Sequence, residues 1–130
     1  MATITEIPLS EQLKKIPPTV RPTVEAAIRT VKEVAPKAEQ VTYRSRPPRS
    51  RSAMWKIVRY AAGGGYVVGI GTFPNHSTIF FYRGRELDDG SGLLQGSGKD
   101  ARFITLRAPA DAEAPAIKRL VRKAFKLAHS

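Results

Sequence analysis

The stretch "GSGKDARFITLR", Gly96 to Arg107, sets glycines ahead of a lysine, the composition of a loop that cradles phosphate. A strand-to-helix phosphate loop needs a glycine five positions before the glycine of the GK pair, then Ser or Thr after the lysine to reach a magnesium ion. Leu93 holds the first of those positions and Asp100 the second. The residues that follow alternate with period two, Arg102, Ile104 and Leu106 against Phe103, Thr105 and Arg107. That pattern predicts a strand where the phosphate would require a helix N-terminus. Gly96 and Gly98 are expected instead to supply positive φ in the turn that enters the strand. The dinucleotide fingerprint fails in the same way: Gly63 and Gly65 are followed by Val68 where the third glycine belongs, and the triple glycine joins two strand-like runs.

Acid–base and metal chemistry have few candidates. His76 and His129 are the only histidines, His76 beside Asn75 at the opening of a strand-like run and His129 next to the last residue. A nucleophile needs a base with an orienting partner, and a metal needs converging His or carboxylate ligands. Glu86, Asp88 and Asp89 form the one carboxylate cluster, beside Arg83 and Arg85, whose charges neutralise it. Hard-cation binding at His76, Glu86, Asp88 and Asp89 therefore stands as an alternative to ordinary turn chemistry and local ion pairs. No catalytic residue and no cofactor is predicted, so the chain reads as a binding protein rather than an enzyme.

Cations offer more. Arg44, Arg46, Arg49 and Arg51 fall within "RSRPPRSRS", stiffened by Pro47 and Pro48 and followed by Trp55. Guanidinium forks suit phosphate, and an aromatic face beside them suits stacking by a base. The other reading is a solvated loop with Trp55 in the core. Lys118, Arg119, Arg122, Lys123 and Lys126 give the C-terminal segment a second charged face, and the two would form one polyanion groove if they shared a side of the fold.

The net charge of +11 is concentrated: residues 44–63 hold six cations and no anion, and 101–130 hold seven cations against two anions. Clustered Lys and Arg are the footprint of a protein that meets polyanions, since each phosphate contact releases condensed counterions. Cysteine is absent, which excludes disulfides, thiolate clusters and thiol catalysis and fits a reducing compartment. "MATITEIPLSEQLKKI" has no basic-then-apolar leader pattern, and no run approaches the roughly eighteen apolar residues of a spanning helix. These features predict a soluble cytoplasmic protein with an anionic partner and no membrane. One domain is expected over 1–130, with 1–8 flexible and 44–52 a basic Pro/Arg/Ser loop.

The elements that must position these residues follow from periodicity. "LSEQLKKIPP" predicts one or two helical turns after a Ser10 cap, stopped by Pro17 and Pro18. Val20, Val24, Ala27, Ile28, Val31 and Ala35 recur at helical spacing and predict a longer helix with Pro22 in its first turn and Pro36 after its end. "AMWKIVRYA", "YVVGIGTF" and "HSTIFFYR" predict three antiparallel strands, preceded by a short one near Gln40 to Arg44 and followed by "RFITLRA". After "PADAEAP", with Asp111 and Glu113 at its start, a final helix buries Ile117, Leu120, Val121, Ala124 and Ala128. Terminal helices around consecutive hairpins predict an α+β fold, a curved antiparallel sheet of about five strands.

"APKAEQVTY", then "FYRGRELDDGSGLLQGSGKDARFITLR", then an amphipathic C-terminal helix, resemble the YdhG-like bacterial family, a domain of unknown function related in shape to frataxin-like and secretion-chaperone-like proteins. The similarity runs from about Leu9 to Leu127 and is most specific from Phe81 to Arg107. It implies an α-β(3)-α-β(2)-α style of fold and no established catalytic residues. Lys99, Arg102 and Arg107 are the matched cations suited to holding an anion or an acidic partner. Some members are regarded as frataxin-like iron chaperones, which implies an acidic ridge; eleven carboxylates against twenty-two basic groups depart from that pattern. Three functions thus stay open: a basic surface for nucleic acid, an acidic protein or a small phosphate ligand; iron delivery; and a chaperone-like module taking a peptide on a sheet edge.

Overall fold

A computed structural model describes residues 8–43, 46–87 and 92–129. Helix α1 covers Leu9–Lys15 and α2 covers Arg21–Val34. Pro8, not Ser10, occupies the N-cap of α1, so Ser10 lies inside the first turn. Helix α2 begins where Pro22 loses no intrahelical donor, and it buries Val24, Ala27, Ile28 and Val31 on the expected stripe.

The strands are β1 (Glu39–Thr42), β2 (Trp55–Ala62), β3 (Gly65–Thr72), β4 (Ser77–Phe81) and β5 (Arg102–Leu106). They pair in chain order as an antiparallel meander, β1-β2-β3-β4-β5, an open sheet with β1 and β5 at its edges. A single 3-10 turn, Gly84–Glu86, follows β4 and is the described helical segment between strands. The C-terminal region divides. "PADA" forms a one-turn helix α3 (Pro109–Ala112), and α4 starts afresh at Pro115 and runs to Ala128. Asp111 caps α3, its carboxylate accepting the backbone N–H groups of Arg107 and Ala108 at 2.9 and 3.2 Å. The expected fold is therefore present, an α+β unit with helices at both ends of a five-stranded antiparallel sheet. Among the described residues no helix is long and apolar enough to cross a membrane.

The alternation of side chains along each strand decides where the core lies. Tyr60, Val68 and Phe81 are neighbours across three strands, as are Val58, Ile70 and Ile79, and all are fully buried. Against them pack Val24 and Val31 of α2 and Ile117, Leu120 and Val121 of α4. A buried hydrogen bond, Thr30 Oγ1 to the Ala112 carbonyl at 2.8 Å, fastens α2 to α3. Both long helices lie on this one face of the sheet. The other face carries Arg59, Gly69, Phe80 and Phe103 in one cross-strand row, and Lys56, Gly71, Thr78 and Thr105 in the next.

This division predicts unequal responses to truncation. Leu120→Ala, in the packed layer, costs about 2–5 kcal/mol, whereas Phe103→Ala on the uncovered face costs about 1 kcal/mol or less. Urea unfolding midpoints of the two variants check the contrast, and equal losses would contradict the assignment of faces.

Candidate functional site

Strand β3 reads "GYVVGIGT", and its two alternate glycines, Gly69 and Gly71, both fall on the uncovered face. A side chain at either position would force its neighbours to shift. A Cβ on Gly69 would lie 2.3 Å from the Phe80 ring, and one on Gly71 would lie 2.7 Å from the Met54 side chain. Phe80 lies across the bare strand and is itself 8% exposed. The outcome is a trough of about 460 Å³ whose floor includes Phe80 and Thr78 and whose sides include Phe73, His76, Phe103 and Thr105. Lys56 and Arg102 stand at its margins, and no carboxylate lines it among the described residues. Lys56 Nζ is 6.0 Å from the Phe80 ring centroid and 5.8 Å from that of Tyr43, within the range of cation–π attraction.

A second cleft, of about 260 Å³, opens between the β1–β2 connection and the turn after β3. Here Arg49 and Arg51 meet Lys15 from the end of α1, over Trp55 and beside Pro47 and Pro48. Trp55 is only 5% exposed and belongs to the core, the second of the two readings above, and it lines the floor of the cleft. Phe73 lines the cleft and the trough alike, so the two depressions adjoin.

The other expected positions are distributed. Arg46 is exposed in the same loop, and Arg44 lies outside the described residues. Arg102 is half-buried and lines one end of the trough, and its guanidinium donates to the Gly98 and Ala101 carbonyls at 2.6 and 2.8 Å, closing the turn before β5. Lys99 is exposed in that turn. Gly96 has φ +116°, as its turn demands, but Gly98 does not adopt positive φ, and a Cβ there would make only an ordinary contact with the Ala101 carbonyl at 3.9 Å. Arg107 is exposed after β5 and near enough to His76 to repel its proton. The cations of α4 do not join this surface. Its apolar stripe faces the sheet, so Arg119, Arg122, Lys123 and Lys126 point outward from the helical layer, on the far side from the trough.

Of the metal-binding alternative, His76 precedes β4 and Glu86 follows it, which sets them at opposite ends of that strand. Glu86 is held by Arg83 through two hydrogen bonds, 2.7 and 2.8 Å, and this pairing keeps its carboxyl below the usual glutamate range. Asp88 and Asp89 lie outside the described residues. Among the described residues no three His, Asp or Glu side chains converge.

Residues that motif reasoning passed over complete the surface. Beside the trough, the Arg59 guanidinium is clasped between the rings of Tyr66, 3.8 Å away, and Tyr43, 4.6 Å away, while the Tyr43 and Tyr82 hydroxyls hydrogen-bond to each other. Burial, followed by that bond, raises the Tyr82 phenol above its ordinary value. The signal for this face was in the sequence: glycines two apart in β3, with aromatics two apart at Phe80 and Tyr82.

No family model, curated protein or solved structure matches this chain.

Burial, and then the charge of Arg107, hold His76 below the ordinary histidine value of 6.5, so it is neutral at pH 7 and adds no charge to the trough. A histidine depressed on folding contributes stability that is complete above 6.5 and is lost as pH falls through its folded value. Nitrogen-detected NMR titration should place His76 below 6.5, and Arg107→Ala should move it upward; an unchanged value in the variant would remove Arg107 as a cause.

Proposed function

We propose that this protein is a non-enzymatic binding domain of the YdhG-like type, whose partner is anionic and lies in the trough and the adjoining arginine cleft. The observation that carries the proposal is the make-up of that surface: Lys56 and Arg102 at the trough, Lys15, Arg49 and Arg51 in the cleft, and no lining carboxylate in either among the described residues. Such a surface attracts anions and repels metal cations, which places iron delivery second. Arg49 and Arg51 lie on a loop stiffened by two prolines, so less side-chain and backbone freedom is lost when they engage phosphate. Support for the binding-domain reading, rather than an enzyme, comes from the lining itself, which offers His76 and hydroxyls without a nucleophile–base–orienter chain. The YdhG-like resemblance of the block from Phe81 to Arg107 agrees, since the family carries no established catalytic residues.

Binding of inorganic polyphosphate tests the proposal. Affinity should fall steeply as salt rises, because each cation seated on a phosphate releases counterions, and the triple variant Arg49→Ala, Arg51→Ala, Lys56→Ala should bind more weakly with a flatter salt dependence. Loss of affinity without any change in the salt slope, or no salt-sensitive binding at low ionic strength, would refute it.

A further inference from the structure

We infer that the anionic partner is single-stranded nucleic acid, its bases stacked in the trough and its phosphates on the cations at the margin; this rests on the anion-binding reading above. Charge alone does not account for the surface. A phosphate polymer or an acidic protein needs cations, yet here the cations border an apolar, aromatic depression of about 460 Å³. Among the described residues Phe103, 37% exposed on that face, is one of two large apolar side chains left open to solvent, and the other, Tyr66 at 38%, stacks beneath Arg59 at the same side of the sheet. A chain of flat apolar rings joined by phosphates is the ligand whose chemistry matches both features.

Dimensions agree. The row Arg59, Gly69, Phe80, Phe103 crosses four strands, and at about 4.8 Å per strand it spans roughly 14 Å. An antiparallel sheet of that width, with helices behind it and aromatics in front, holds two or three stacked bases in known sheet-type RNA readers. Phe73 then carries the path into the cleft of Lys15, Arg49 and Arg51, so the strand continues past the trough along cations. A duplex is disfavoured because its bases are stacked on one another and cannot present a face to Phe103. Sequence preference should be slight, since Thr105 and neutral His76 are the main polar groups at the trough's sides.

The test compares probes on the full chain by fluorescence anisotropy: oligothymidylate, an abasic oligodeoxyribose phosphate of the same length, the corresponding duplex, thymidine monophosphate and inorganic polyphosphate. Oligothymidylate should bind roughly tenfold or more tightly than the abasic strand, the advantage of stacking. Phe103→Ala should bring it down to the abasic level, and Phe103→Tyr should restore it; melting curves on both variants exclude unfolding as the cause. If the abasic strand or polyphosphate binds as tightly as oligothymidylate, the single-strand inference falls while the anion reading stands. A duplex that binds best, or a monophosphate that binds as well as the polymer, overturns it too. If none of the probes binds, both readings fail.

Discussion

A sheet has two faces, and the described helices of this protein cover one. Its two long amphipathic helices, α2 and α4, both pack on the side presented by Tyr60, Val68, Ile79 and Phe81, because that is where the apolar alternation of the strands meets their own stripes. Among the described residues no third layer covers the other side, and the further properties of that side follow from this. The chain does not make that side uniformly polar, as a solvated antiparallel sheet ordinarily is. It removes side chains from β3, folds Phe80 over the gap and lines the margins with cations.

The glycines of β3 are costly in a strand, since they add backbone freedom to the unfolded chain and bring no side chain to pack. Part of that cost is offset where Phe80 and Met54 occupy the space a Cβ would fill. Close approach of an aromatic ring to bare backbone makes the floor flat as well as apolar. Arg59, clasped by Tyr43 and Tyr66, and the Tyr43–Tyr82 pair stiffen one flank, while Arg102 stiffens the other by holding the turn carbonyls of Gly98 and Ala101. A preformed depression of this kind loses little conformational entropy when occupied.

Periodicity made α2, the three central strands and the buried stripe of α4 readable, because each repeats its apolar spacing over several turns or pleats. Boundaries governed by single residues were less so. Ser10 looked like a cap, yet Pro8 caps α1 two residues earlier; "PADAEAP" looked like one helix start, yet Asp111 closes a separate turn before Pro115 begins α4. The trough was hidden for a different reason. In "STIFF" all five residues are buried, so alternation could not separate the helix-covered side from the uncovered one. Only the pairing of Phe80 with Gly69 shows that Phe80 is buried by lying on backbone rather than under a helix. The Arg-rich loop stood out from composition, but its meeting with Lys15 depends on the turn between α1 and α2, which no local pattern specifies.

The two clusters of positive charge, separate in the sequence, also lie apart in the fold. Cations on the outer face of α4 stand on the far side of the helical layer, with water around them, and their field at the trough is weakened by distance and by salt over roughly 10 Å. Those of the loop and β2 border low-dielectric aromatic surface, where an approaching anion is screened less and attracted more. His76 would strengthen that field were it protonated, but Arg107 and burial keep it neutral at pH 7, so the attraction at the trough is set by groups that do not titrate near neutrality. Acidification brings the other case. A proton gained by His76 sits on a half-buried ring beside the Arg107 charge, so acid costs the fold stability as pH falls through the folded value of this histidine.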